Sequence, residues 1–94
     1  MTKILLTATA QRNLESLESN PRKQAKVLKA IGLLQANPRH PGLNTHKYQS
    51  LQGPNGEAMF EAYVENRTPG AWRIWFHYGP GSDTITIWAI SPHP

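Results

Sequence analysis

The chain has 94 residues, enough for one domain with one core and too few for two. Its 38% hydrophobic and 17% charged residues exclude a disordered polyelectrolyte, and the lack of cysteine excludes a disulfide framework, a thiolate zinc site, an iron–sulfur cluster and a cysteine nucleophile. Ten Lys and Arg against six Asp and Glu give +4, a charge that suits an acidic partner without requiring one.

Residues 1–94 therefore read as a single domain, and its elements follow in chain order. Lys3-Ile4-Leu5-Leu6-Thr7 suits a short strand. This run is shorter than the roughly 7–15 apolar residues of a secretory segment, and no stretch approaches the about 20 of a membrane span, so a cytoplasmic protein is expected. Residues 9–18 place Ala10, Leu14 and Leu17 at helical spacing, with Thr7 or Thr9 as N-cap. Asn20-Pro21 breaks that helix and opens a second, whose stripe is Val27, Leu28, Ile31 and Leu34 and whose Lys23, Lys26 and Lys29 fall off the stripe. Asn37-Pro38 ends it, because proline disfavours helical backbone in the residue before it, and the two helices read as an antiparallel hairpin. Residues 38–47 carry two prolines, a glycine and basic or imidazole side chains without periodicity, which predicts a long exposed loop.

The period then changes from 3.6 to 2. Three strands are expected, at residues 59–65, 72–78 and 83–90, separated by turns at Thr68-Pro69-Gly70 and Gly79-Pro80-Gly81-Ser82. The fold class is α+β: an N-terminal strand and an antiparallel helical hairpin, the hairpin packed on one face of a mainly antiparallel sheet formed with a C-terminal three-stranded meander. Alternation puts Phe60, Ala62, Val64, Trp72, Ile74, Phe76, Ile85 and Ile87 under the helices. It puts Glu61, Tyr63, Glu65, Arg73, Trp75, His77, Thr84, Thr86 and Trp88 on the opposite face, which two helices cannot cover.

That opposite face mixes cations, imidazole and aromatic rings. Bases stack on Trp or Tyr for roughly 1–3 kcal/mol each and cations neutralise phosphate, so Tyr63, Trp75, Trp88 and Lys47 are candidate RNA-binding residues. The same aromatic residues also serve simply to cover a sheet, and Glu61 and Glu65 oppose RNA unless they pair with Arg67 or Arg73 or one acts as a base. Four histidines raise the question of a metal, but there is no helical His pair, no Cys, and the only Asp is Asp83 in a turn, so no metal or other cofactor is expected. No serine sits in a nucleophile elbow, and Gly53-Pro54-Asn55-Gly56 is a turn before a strand rather than a phosphate loop. Metal-free acid–base chemistry remains, with Arg73, His77, His93, His46, Lys47 and Tyr63 as its side chains. RNA brings its own 2′-hydroxyl nucleophile, which needs a base, a cation for the developing charge and an acid for the leaving 5′-oxygen.

The order of elements resembles the RelE/ParE toxin superfamily of bacterial type II toxin–antitoxin modules. His46-Lys47-Tyr48-Gln49-Ser50-Leu51-Gln52-Gly53 resembles the family's "K-L-x-G" segment, and Gly70-Ala71-Trp72-Arg73-Ile74-Trp75-Phe76 its "x-x-Y-R-I-I-Y" strand. Ile85-Thr86-Ile87-Trp88-Ala89-Ile90-Ser91-Pro92-His93 resembles its final strand. The resemblance implies a ribosome-dependent mRNA endoribonuclease and a cognate antitoxin partner. It implies Arg73 on the scissile phosphate, His93 as the acid used in the YoeB-like branch, and His46 and Lys47 where the family places substrate or base residues. The chain lacks the acidic residue that YoeB-like members hold in that loop and the lysine-rich second strand of RelE. A second class stays open: a non-catalytic binding member, either a ParE-like inhibitor of DNA gyrase or an inactive antitoxin-binding domain.

Overall fold

The computed structural model describes residues 2–66 and 68–93. Among these, the order is β1 (Lys3–Leu6), α1 (Ala8–Ser16), α2 (Pro21–Ala36), β2 (His46–Gln52), β3 (Ala58–Tyr63), β4 (Trp72–Tyr78) and β5 (Thr84–Pro92), with single 3-10 turns at Leu17–Ser19 and Pro41–Leu43. Thr7 starts α1: its hydroxyl oxygen accepts the Ala10 N–H at 3.1 Å and donates to the Trp88 carbonyl at 2.8 Å, so one side chain caps the helix and pins it to β5. Asn20 caps α2 through the Lys23 N–H at 3.2 Å, and Pro21 fills the first turn, where no backbone donor is needed. No helix among the described residues is long and apolar enough to cross a membrane.

The buried side of α2 is Val27, Ala30 and Leu34, while Leu28 is 51% exposed, which corrects the stripe expected from the sequence. At 3.6 residues per turn, Leu28 sits more than a quarter-turn from the Val27–Leu34 line, and the smaller Ala30 packs where the hairpin approaches the sheet. These residues, with Ala10, Leu17 and Leu43, meet Ala62, Ile74, Phe76, Ile85, Ile87 and Ile90 from the sheet, and Phe60, Val64 and Trp72 pack around them. The inward set read from alternation is thus the core, and each large side chain in it stabilises the fold by about 1.5–3 kcal/mol.

The sheet runs β1-β5-β4-β3-β2, with β1 parallel to β5 and every other pair antiparallel. The expected three-stranded meander has four strands. The additional one, β2, is an edge strand exposed along most of its length, so its sequence HKYQSLQ has no apolar alternation to announce it. The 38–47 segment is likewise no free connector. Asn37 Oδ1 accepts the Arg39 N–H at 3.0 Å, His40 Nδ1 accepts the Gly42 N–H at 3.0 Å, and the Thr45 hydroxyl donates to the Pro38 carbonyl at 2.9 Å. Leu43 is fully buried in its middle.

The β2–β3 register shifts between Lys47 and Gln52, and two further bulges interrupt the alternation. On β5, Trp75 pairs with Ala89 but Phe76 with Ile87, so Trp88 is the extra residue and the inward set runs Ile85, Ile87, Ile90. Beyond the end of β3, the Val64 and Glu65 N–H groups both donate to the Trp72 carbonyl, at 3.1 and 3.2 Å. Glu65 thereby leaves the face on which strict alternation placed it and reaches α2. Its carboxylate bonds Lys23 Nζ at 2.5 Å, Lys26 Nζ at 3.1 Å and the Trp72 N–H at 3.2 Å. Arg67, the other partner considered for it, lies outside the described residues.

The Lys23 hydrogen bond, and then those from Lys26 and Trp72, hold the Glu65 carboxyl down to about 2 against an ordinary 4.5, with burial opposing. Because the folded value lies below the unfolded one, the stabilisation is fully present above about pH 4.5 and drains away as pH falls towards 2. Glu65→Gln is expected to cost about 1–2 kcal/mol at pH 7 and only about a quarter of that at pH 2.5, the lysine partners being partly solvated. Urea denaturation of both proteins across that range checks this, and a constant difference would refute it.

Candidate active site

Register assembles the face of the sheet that lies away from the helices. His46 pairs with Glu61, Glu61 with Trp75, Tyr63 with Arg73, and Arg73 with Ser91, so four strands bring these side chains to one surface. His93 follows β5 and is held by its N–H on the Ala71 carbonyl at 2.9 Å.

This face, which the helices leave either to solvent or to a ligand, is largely closed by its own side chains: Glu61 is 2% and Arg73 8% exposed, and Trp75 and His77 are also buried. Large neighbours do this without a covering layer. Tyr48 of β2 stands edge-on to Trp75 with centroids 5.9 Å apart, His46 stands edge-on to Tyr63 at 5.8 Å, and His77 lies against Trp88 at 5.9 Å. The Arg73 guanidinium lies 3.6 Å from the Tyr63 ring centroid and donates through one terminal nitrogen to the carbonyls of Glu65 at 2.6 Å and Trp72 at 3.1 Å.

Glu61 is the centre of the arrangement. Its Oε1 lies 2.9 Å from His46 Nε2 and its Oε2 lies 3.5 Å from His93 Nε2, while both imidazoles are 45% exposed. His46 Nδ1 lies 2.9 Å from the Asn44 carbonyl, which can only accept, so Nδ1 carries a proton. His46 Nε2 thus faces a buried carboxylate oxygen at 2.9 Å from a half-exposed ring, within reach for proton transfer between the two.

Among the described residues, the buried side-chain polar atoms without a hydrogen-bond partner are Glu61 Oε2, Arg73 Nε, Trp75 Nε1 and Trp88 Nε1. All four belong to this face. Unsatisfied buried groups destabilise a fold by about 1–3 kcal/mol each, so their concentration here marks a surface whose polarity packing does not explain. No group of three or more His, Asp or Glu side chains among the described residues is placed to hold a metal ion.

Of the residues expected from the sequence, His46, Tyr63, Arg73, Trp75 and His93 come together around Glu61. His77 and Trp88 form a pair farther along β4, where the His77 Nδ1–H donates to the Tyr78 carbonyl at 2.9 Å. Lys47 does not join them. It pairs with Phe60 and so shares the helix-side face, because directly opposed residues in an antiparallel ladder point the same way. Glu61 was legible in the sequence as a charge opposing RNA, an arginine partner or a base, but not as the centre of a histidine pair; its signal was an acidic residue midway along an otherwise apolar and aromatic strand.

In comparison with known proteins, the sequence matches no family model and no curated protein. Solved structures do match. A YoeB/ParE toxin from Agrobacterium tumefaciens superposes with a TM-score of 0.73 at 12% identity, over 99% of this chain and 100% of the other. The archaeal RelE–RelB complex from Pyrococcus horikoshii contains a chain at 0.67 and 16% identity, covering 97% and 93%. The E. coli DinJ–YafQ complex gives 0.70 and 14% identity, covering 99% and 94%. The fold implied by the sequence resemblance is therefore the observed one.

Proposed function

We propose that the chain is the toxin of a type II toxin–antitoxin pair and cleaves mRNA on the ribosome by attack of the 2′-hydroxyl on the adjacent phosphate. The observation that supports this most strongly is the buried Glu61 carboxylate between the half-exposed rings of His46 and His93. Internal RNA cleavage needs a base for the 2′-oxygen and an acid for the leaving 5′-oxygen, and two imidazoles flanking one carboxylate supply both. His93 is assigned the acid, as the resemblance implies, and His46 the complementary proton transfer. Glu61 orients the His46 ring and sets its second oxygen beside His93, and Arg73 supports the scissile phosphate. The cognate antitoxin is expected to cover this face, since two of the similar structures are toxin–antitoxin complexes.

Glu61→Gln keeps the size of the side chain but cannot share the same protons. Cleavage is expected to fall about tenfold, with His46 and His93 left in place. The reading as a whole is tested by adding protein to a defined translation reaction and mapping mRNA 5′ ends by primer extension. Codon-phased cuts that require ribosomes support it; intact mRNA from folded protein rejects it. One observation favours the second reading, a non-catalytic binding member: Arg73 spends its hydrogen bonds on its own backbone neighbours. Inhibition of DNA gyrase in a supercoiling assay, with mRNA intact, would establish that alternative.

A further inference from the structure

On the helix-side face, the hairpin leaves uncovered the end of the sheet where residues 37–45 meet β3 and β4. Phe60 stacks on Phe76 with centroids 5.8 Å apart, and Tyr78 stands nearly perpendicular to both, at 76° and 80°. The two rings brace Tyr78 but leave it 43% exposed. Beside it opens a cleft of about 540 Å³ lined by Arg39, His40, Phe60 and Tyr78, among others, with no acidic side chain.

The donors at this cleft, the Arg39 cation and the His40 ring, are held in place. The three local hydrogen bonds and the buried Leu43 described above fix the loop, so Arg39 and His40 are displayed on a rigid backbone. His40 accepts the Gly42 N–H at Nδ1, which leaves Nε2 to carry the ring proton as a donor. Among the described residues, neither the Arg39 guanidinium nor the Lys47 ammonium has an ion-pair or hydrogen-bond partner, and Lys47 shares the face of Phe60. An uncompensated Arg39 at the cleft, a second uncompensated cation on Lys47 one strand over opposite Phe60, and a braced, half-exposed ring match phosphates joined to a base. An acidic peptide would satisfy the cations and leave the ring idle.

We propose that Arg39, His40, Lys47 and Tyr78 form a docking site for single-stranded RNA, separate from the His46–Glu61–His93 cluster, with a base on Tyr78 and phosphates on Arg39 and Lys47. The site extends the reading of the protein as an mRNA-directed toxin and rests on it for its purpose, although binding there needs no cleavage.

The test is fluorescence anisotropy with a labelled 2′-O-methyl oligonucleotide of about ten residues, which offers no 2′-hydroxyl for attack, at several salt concentrations. Tyr78→Leu is expected to weaken binding roughly tenfold and Tyr78→Phe to restore it. Arg39→Ala with Lys47→Ala is expected to lower the salt slope by about 0.7 for each phosphate no longer neutralised. The charge-matched pair Arg12→Ala and Arg22→Ala is expected to do less. Equal losses in the two pairs overturn the site, as does wild-type affinity in Tyr78→Leu or tighter binding of a glutamate-rich peptide through these residues. Should Tyr78→Leu not fold, the exposed Arg39 and Lys47 carry the test alone. A chain that shows the expected binding pattern yet cuts no mRNA loses the cleavage reading only; one that cuts mRNA without the pattern loses the docking site only.

Discussion

Replacement of His93 by glutamine is expected to reduce ribosome-dependent cleavage by roughly 10²- to 10⁴-fold, the range typical of removing a positioned proton donor. The change is well suited to separating chemistry from folding. The ring is 45% exposed, and the residue is anchored by its backbone N–H on Ala71, which glutamine retains. Substitutions at such half-exposed positions usually alter stability by less than about 0.5 kcal/mol, so thermal denaturation should be superimposable on the wild type. Full cleavage by the His93→Gln protein would remove His93 from the chemistry. Residual activity in it should fall further on Glu61→Gln only if the carboxylate also serves His46.

Arg73→Ala is expected to behave differently, lowering the melting temperature by roughly 10–20 °C. The guanidinium is 8% exposed, and its removal takes the side-chain donor from the Glu65 carbonyl, one of three donors from the Trp72 carbonyl, and the cation from the Tyr63 ring. The loss of two charge-assisted hydrogen bonds and the opening of a void amount to about 2–4 kcal/mol for a domain of this size. Loss of activity in this variant alone is therefore no measure of phosphate binding. Arg73→Lys, which keeps the charge without the planar fork, divides the two contributions: calorimetry reads the structural one, and single-turnover cleavage of the folded fraction the other. An unchanged melting temperature in Arg73→Ala would show that the carbonyls find other partners and that the residue is held only loosely.

The legibility of this molecule in its sequence followed burial. Helix α2 announced itself through Val27, Ile31 and Leu34, and β3 to β5 through their alternation, because a half-buried element must segregate its side chains. β2 gave no such signal, since an edge strand exposed on both faces is free of that constraint. The corrections to side-chain placement have a common origin as well. Glu65 turns aside because two successive N–H groups share one carbonyl, and Leu28 sits just beyond a stripe that packing made narrower than hydropathy suggested. Glu61, Tyr63, Arg73 and Trp75 were recoverable in type and face, because parity holds along an uninterrupted strand, whereas His46 and His93 were recoverable in type alone. Their mutual contacts were not, because the pairing of His46 with Glu61 depends on a strand that hydropathy did not reveal. Nor could the sequence show Arg73 and Trp75 buried by Tyr63 and Tyr48, for that follows from register across three strands.

The pinning of Thr7 to the Trp88 carbonyl, together with the parallel pairing of β1 with β5, joins the first element of the chain to the last. Among the described residues β1 borders no other strand, so its edge stays open until residues 84–87 have been made. Such a contact closes the largest loop the chain can form, which places it late in folding. His93 lies just beyond those residues, so the step that completes the sheet also delivers the last member of the acid–base cluster. A nascent or truncated chain lacks both at once. On the proposed function, the chain gains the capacity to attack translation only once residues 84–93 have been made and paired.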